Sequence, residues 1–337
     1  MNNRIVLAAR PQGFPKDSDF RLEQTPVPSP ADGEILVAVR WLSVDPYMRG
    51  RMNETRSYAD PVKLGDVMVG GAAGRVLESR NAKFAAGDYV MGMFGWQEYA
   101  VSDGQGVRKL DPSIAPVSTS LGVLGMPGLT AYFGLLTVGQ PKPGETVLVS
   151  GAAGAVGSYV GQIARIHGCR VVGIAGSDEK TRWLKEDLGF DAVLNYRSTS
   201  DYRQALAALC PNGIDVYFDN VGGAITDAAF TLLNPRARVP ICGQISQYNA
   251  EKPEMGPRLL SLVLVRQVKV EGFLVFQFAD RYAEGLQKLT EWVRAGQLKY
   301  KETVTDGIEN APQAFLSMLA GGNTGKQLVR IGNRDTD

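Results

Sequence analysis

The run from Thr146 to Lys180 constrains the fold more than any other stretch of the chain. Thr146-Val147-Leu148-Val149-Ser150 is short, apolar and β-branched, and Gly151-Ala152-Ala153-Gly154-Ala155-Val156-Gly157 follows it at once. Ala152, Gly154 and Gly157 take the three positions of a G-x-G-x-x-G pattern, with alanine at the first. A helical segment then runs to Gly168, and Arg170 to Ala175 is a second β-rich run. Strand, glycine turn, helix and strand in this order form a βαβ unit of the kind that binds a dinucleotide. The unpaired N–H groups and the dipole of the helix start favour a diphosphate, and side chains at Gly154 and Gly157 would obstruct its approach. The plainer reading is a tight strand-to-helix turn with no ligand.

The end of the second strand bears on which dinucleotide. A site for NAD carries Asp or Glu roughly 20 residues after the loop, bonded to the ribose hydroxyls. Gly176-Ser177 stands there instead, with Lys180 and Arg182 just beyond. A carboxylate would repel a 2′-phosphate, so its replacement favours NADP(H). Lys180 also reads as an ordinary solvated helix residue.

At 337 residues the chain is long for one core, and two domains are the natural expectation. The net charge of +1 gives no basis for binding nucleic acid or an anionic membrane surface. No apolar run reaches the roughly 18 residues of a membrane span. Met1-Asn2-Asn3-Arg4-Ile5 lacks the apolar core of a secretory signal, and Cys169, Cys210 and Cys242 make no disulfide framework. A cytoplasmic location is expected. His167 is the only histidine, and His167-Gly168-Cys169 is too cramped for a zinc ligand set, so no metal is expected.

Before about residue 123 the chain is rich in short β-like runs broken by Pro and Gly: Ile35 to Trp41, Gly74 to Glu78, Tyr89 to Met93 and Tyr99 to Ser102. This pattern predicts a small, irregular β-barrel-like domain. A helix begins near Met126. From about 146 to 275 strands and helices alternate as in a doubly wound parallel sheet, with later strands at Ala192 to Asn195, Ile214 to Asp219, Arg238 to Cys242 and Val268 to Phe276. Two amphipathic helices follow, one through Ala283, Leu286, Leu289, Trp292 and Val293, the other through Ala311, Phe315, Met318 and Leu319. Lys326 to Ile331 is a last short strand, expected to return to the first domain.

Motifs along nearly the whole chain carry a family resemblance. They include Asp45-Pro46-Tyr47-Met48-Arg49, Gly125 to Leu135, Gly151 to Gln162, Gly173 to Lys180, Asp219-Asn220-Val221-Gly222-Gly223, Cys242 to Asn249 and Gly322-Asn323-Thr324-Gly325-Lys326. With these motifs the chain resembles the zinc-independent medium-chain dehydrogenase/reductases. Within them it is most similar to the leukotriene 12-hydroxydehydrogenase/15-oxo-prostaglandin 13-reductase group, which includes 2-alkenal and curcumin double-bond reductases. Zinc-dependent cousins carry a Cys ligand near position 45 and Gly-His-Glu near position 70, where this chain has Asp45 and Gly70-Gly71-Ala72.

The resemblance implies an α/β fold: a Rossmann doubly wound parallel sheet over residues 124–299, and a GroES-like β-barrel-type catalytic domain from residues 1–123 and 300–337. It implies NADPH as cofactor. Gly154, Ala155, Val156 and Gly157 would hold the pyrophosphate. Lys180 and Tyr196 would contact the 2′-phosphate, with Gly176 and Ser177 making room. Asn220 would meet the cofactor ribose, and Cys242 and Gly243 through Tyr248 would line the nicotinamide. Phe273, Leu274 and Val275 would offer backbone contacts, and Asn323 would reach the cofactor from the returning tail. Bland readings stand beside these: Asn220 as a turn residue, Cys242 as a small buried residue and Phe273 to Phe276 as plain core strand.

The implied reaction is NADPH-dependent reduction of the carbon–carbon double bond of an α,β-unsaturated aldehyde or ketone. Hydride at the β-carbon develops a delocalised enolate, which one or two hydrogen-bond donors can stabilise. Tyr248 is the first candidate donor and Tyr47 the second, Tyr47 reading equally as a wall of the substrate site. Met48, Met126, Tyr132 and Phe276 are candidates for an apolar pocket. The alternatives are an NADPH:quinone oxidoreductase of the same fold and a non-catalytic NADPH-binding protein. The expected partners are a small enone substrate and a second copy of the chain, paired through the Val268 to Phe276 edge.

Overall fold

The computed structural model describes residues 1–55 and 57–332. Residues 333–337, which fall in the expected span of the first domain, lie outside the described residues. The chain divides into two compact units, Met1–Gly122 with Glu302 onward, and Val123–Lys301.

The first unit opens with β1 (Asn2–Leu7) and β2 (Phe20–Thr25), an antiparallel pair. Sequence reasoning did not identify either strand. Next come β3 (Ile35–Ser43), β4 (Ala72–Ser79), β5 (Tyr89–Gly92), β6 (Tyr99–Ser102) and β7 (Arg108–Leu110), which pair antiparallel. β3 is buried along most of its length, and both of its edges are paired, by β4 and β6. A short helix, Tyr47–Arg51, leaves β3 through Val44-Asp45-Pro46.

In the second unit β8 (Thr146–Val149), β9 (Arg170–Ala175), β10 (Ala192–Asn195), β11 (Ile214–Phe218), β12 (Leu233–Ile241) and β13 (Lys269–Gly272) form one parallel sheet in the order β10-β9-β8-β11-β12-β13. β8 and β9 are covered on both faces, which explains why they read as unbroken apolar runs rather than as alternating ones. The order reverses at β8 and β11, the crevice where open parallel sheets take their ligands.

Two expected strands of this sheet differ in extent by more than one residue. β12 begins at Leu233, ahead of the expected Arg238, and carries an irregular register opposite β11 where Pro235 and left-handed Arg236 interrupt the ladder. β13 stops at Gly272 instead of running to Phe276, and a 3₁₀ segment, Val275–Arg281, follows. The Phe273 ring leaves the pleat to pack edge-on against Phe218, with centroids 6.0 Å apart. Of the apolar run there, Phe273 serves the core, while Phe276 is exposed.

After the helix Tyr282–Arg294 the chain adds β14 (Glu302–Asp306) and β15 (Lys326–Arg330) to the first unit's sheet, β15 pairing with β3. The helix Ala311–Leu319 lies between them in sequence, and its Phe315 packs edge-on against Trp96, 5.8 Å away, while Phe20 stacks on Trp96 at 5.7 Å. This aromatic cluster joins β2 to the chain's C-terminal part. Among the described residues no helix is long and apolar enough to cross a membrane.

Candidate functional site

The carboxyl ends of the parallel strands carry most of the residues singled out in the sequence. β8 runs into Gly151 and the glycine loop, β9 into Gly176 and Ser177, β10 into Tyr196, β11 into Asp219 and Asn220, β12 into Cys242 through Tyr248, and β13 into Phe273 through Val275. Tyr47 and Asn323 belong to the other unit.

The fit to a dinucleotide begins at the helix Ala155–Ile166. Gly154 caps it, and no side chain caps its first turn, which leaves that turn's N–H groups to a ligand's negative oxygens. Gly157 allows the loop to close on the helix: a Cβ there would stand 2.4 Å from the Gly151 carbonyl oxygen. At the end of β9 the Tyr196 ring lies against Gly176, and Ser177 Oγ accepts from the Lys180 N–H at 3.3 Å. Burial, and after it the charge of Arg197, push the Lys180 amine below the ordinary lysine range. The Arg197 guanidinium also lies over the Tyr196 ring at 5.9 Å. Two cations beside an aromatic hydroxyl, at the strand end where an acid would select NAD, suit a 2′-phosphate. Arg197 was not singled out from the sequence, although it directly follows Tyr196.

The other half of the crevice is organised around Asp219, which is completely buried. Its carboxylate accepts from Ser150 Oγ (2.9 Å), Tyr217 OH (2.9 Å), the N–H groups of Val221 (2.9 Å) and Gly222 (3.0 Å), Thr226 Oγ1 (2.8 Å) and Gln244 Nε2 (2.8 Å). Its backbone carbonyl accepts from Cys242 and Gly243. Asn220 donates Nδ2 to the Ser150 carbonyl at 2.7 Å, so the turn after β11 is tied to the end of β8. Asp219 was given no role from sequence, and Gln244 only as part of the Cys242 to Tyr248 span, because the contacts that matter join residues 25 and 69 positions apart.

Burial, followed by the Asp219 charge, pushes the Cys242 thiol up to about 12. A thiol held protonated is a poor nucleophile. Tyr248, half-buried, follows the 3₁₀ turn Ile245–Gln247, and its hydroxyl oxygen accepts the Gln244 backbone N–H at 3.3 Å. Gly243 packs against that hydroxyl. Phe273 is buried, and both backbone groups of Leu274 are engaged by Gln277, its N–H by Oε1 and its carbonyl by the Gln277 N–H, at 3.0 Å each.

In the first unit Tyr47 opens the helix Tyr47–Arg51, and its hydroxyl is pushed well above the ordinary tyrosine range by burial and then by Asp45. Asn323 donates Nδ2 to the Gly325 carbonyl at 2.8 Å. Met48 has no exposed surface and sits in the core of its unit, and Tyr132 donates to Glu284 at 3.0 Å, so neither side chain is a free pocket wall. Among the described residues no group of three or more His, Cys, Asp or Glu side chains could hold a metal ion. His167 caps the C-terminal end of its helix, Nδ1 lying 2.9 Å from the Ile163 carbonyl.

Comparison with known proteins gives the family. Residues 3–110 match a family described as the N-terminal domain of oxidoreductase, and residues 155–291 one described as zinc-binding dehydrogenase. The NADPH-dependent curcumin reductase of Escherichia coli (strain K12) is 47% identical over 99% of this chain and 98% of its own length. The 2-alkenal reductase (NADP(+)-dependent) of Nicotiana tabacum is 41% identical, covering 98% and 97%. The crystal structure of CurA in complex with NADPH from Vibrio vulnificus superposes with a TM-score of 0.94 at 47% identity, covering 98% of this chain and 99% of that one. The chain belongs to the zinc-independent medium-chain dehydrogenase/reductases, in the group that holds the curcumin and 2-alkenal reductases.

Proposed function

We propose that this chain is an NADPH-dependent reductase of the carbon–carbon double bond of α,β-unsaturated aldehydes and ketones. The observation that carries the reading is the full-length likeness to NADPH-dependent curcumin reductase and NADP-dependent 2-alkenal reductase. NADPH, when bound, supplies the hydride. Lys180, Arg197, Tyr196 and Ser177 hold the 2′-phosphate end, and the loop Gly154–Gly157 with the helix start holds the pyrophosphate. Asn220 and the segment from Cys242 and Gly243 to Tyr248 line the nicotinamide end, with the backbone of Phe273 and Val275.

Hydride arriving at the β-carbon turns the carbonyl into an enolate, and Tyr248 donates to that oxygen. Its hydroxyl accepts a backbone N–H, so its own proton is the one it gives. The α-carbon then takes a proton from Tyr248 or from water. Tyr47 belongs to the substrate wall. The active species is a homodimer in the cytoplasm, joined along β13. There Val270 lies on the sheet edge, and Leu264 and Val265 of the neighbouring helix are 77% exposed each. An open apolar edge of this kind invites pairing.

The test is a panel of a trans-2-alkenal, a long-chain enone and a quinone, each with NADPH and with NADH, together with the molar mass in solution. Alkenal or enone turnover with NADPH is expected, and Tyr248→Phe should lower kcat by about 10²–10³ while NADPH affinity changes little. Quinone turnover alone would replace this reading by that of a quinone oxidoreductase, and tight NADPH binding with no turnover by that of a binding protein.

A further inference from the structure

Of the six donors around the buried Asp219 carboxylate, Gln244 alone comes from the segment that carries Tyr248. Its Nε2 reaches Asp219 at 2.8 Å and its own neighbour's carbonyl, Gly243 O, at 2.9 Å. Its Oε1 occupies a slot that only glycine leaves open. A Cβ at Gly222 would stand 2.1 Å from that oxygen, and Gly222 has φ of 75°. The side chain is therefore held through Nε2, with Gly222 leaving room for Oε1, and the backbone N–H of the same residue is the group donated to the Tyr248 hydroxyl.

We infer that Gln244 is the positioning residue for Tyr248: Asp219 holds its side chain in the space that Gly222 leaves, and its backbone N–H then sets the direction of the phenol. This rests on the reading of Tyr248 as the proton donor. The residue type follows from the geometry. Leucine would fill the slot but donate nothing to Asp219. An ionised glutamate would place a second negative charge against the first, and like charges at this distance favour protonation of one of them. Tyr217 and Cys242, the other titratable groups around Asp219, are both held protonated by burial and by its charge. Glu254 lies one turn away, where it accepts from Gln247 at 2.5 Å.

The experiment measures kcat and KM for an enone, NADPH affinity by fluorescence titration, and the melting temperature, for wild type, Gln244→Leu, Gln244→Glu, Tyr248→Phe and the double variant Gln244→Leu/Tyr248→Phe. Gln244→Leu should lower kcat about 10- to 100-fold, as expected for a misdirected catalytic group, with NADPH affinity within a few fold of wild type. The double variant should be no slower than Tyr248→Phe, because both changes remove one contribution. Gln244→Glu should regain kcat as the pH falls, when its protonated acid again donates to Asp219, while Gln244→Leu stays flat. That pH signature also carries the test if Gln244→Leu does not fold. Wild-type kcat in Gln244→Leu, full multiplicative loss in the double variant, or a parallel fall of kcat and NADPH affinity would overturn the inference. Wild-type kcat in Tyr248→Phe would instead remove the reading on which it rests.

Discussion

Asp45 and Asp219 are both buried carboxylates just beyond a strand, Asp45 two residues before Tyr47 and Asp219 linked to Tyr248 through Gln244, and their surroundings are opposite. Asp45 faces a cation: Lys326 Nζ lies 3.2 Å from its Oδ1 and donates to the carbonyls of Val44 and Gln327 at 2.7 Å each, while Ser43 donates to the other oxygen. Asp219 faces six uncharged donors. The first arrangement ties the chain's C-terminal strand to the turn that starts the Tyr47 helix. The second ties three loops of one crevice together. The tyrosines differ accordingly. Burial and Asp45 hold the Tyr47 hydroxyl protonated, whereas Tyr248 receives a backbone N–H on its oxygen.

The largest effect is expected from breaking the ion pair. Lys326→Met leaves Asp45 buried without its cation and should cost about 3–5 kcal/mol, read by chemical unfolding. Lys326→Met/Asp45→Leu should recover most of that loss, since an apolar pair of similar volume is often as stable as a buried ion pair. Recovery would mean that the pair orients the Asp45-Pro46-Tyr47 turn more than it stabilises the fold. Burial lowers the Lys326 pKa below its unfolded value. Between the two values the unfolded chain binds more protons, so wild-type stability rises with pH across that alkaline window. The methionine variant should lack that rise.

Breaking the second arrangement should cost less. Asp219→Asn keeps the shape but turns one acceptor into a donor that faces Oγ, OH and N–H groups. A loss of about 1–3 kcal/mol is expected, together with weaker NADPH binding because the turns at Ser150, Asn220 and Gln244 all loosen. Unchanged NADPH affinity in a folded Asp219→Asn protein would separate this hub from the cofactor site.

The two regions were not equally legible in the sequence. β8, β9 and β10 could be read because each is a short β-branched run bounded by local turn chemistry. β1 and β2 could not: the 12 residues between them carry no two-residue hairpin turn, and Leu22 of β2 is 48% exposed, which blurs the alternation. Phe273 to Phe276 reads as strand because composition does not distinguish a ring packed on Phe218 from one in a pleat. The Lys326–Asp45 pair spans nearly the whole chain, and the Asp219–Gln244 contact joins two loops. Only the fold brings them together. Glycine loops, by contrast, show in the sequence because their constraint is on a single backbone.

The tyrosines themselves give a smaller contrast. Tyr47→Phe should change kcat by no more than about 10-fold, below the roughly 10²–10⁴-fold of a positioned acid–base group, and should act mainly on the KM of the enone. The Tyr47 hydroxyl stays protonated through the working pH range, so no alkaline limb of the rate profile belongs to it. A loss in Tyr47→Phe equal to that in Tyr248→Phe would show that the two share the donor role.

The smallest effect is expected at Cys242, which lies between the two Asp219-anchored turns. Its thiol is pushed up to about 12, first by burial and then by the Asp219 charge. The thiolate is the reactive form, so at neutral pH a haloacetamide should modify Cys242 far more slowly than a free thiol. Cys169 and Cys210, each pushed up to about 11 by burial, should be similarly inert until the chain unfolds. Cys242→Ser keeps the size and the backbone N–H that Asp219 accepts, so kcat should stay within about 3-fold of wild type, a barrier change well under 1 kcal/mol. Rapid alkylation of the folded enzyme that NADPH blocks would reverse the assignment: it would make Cys242 an accessible thiolate and show that the Asp219 charge does not reach it.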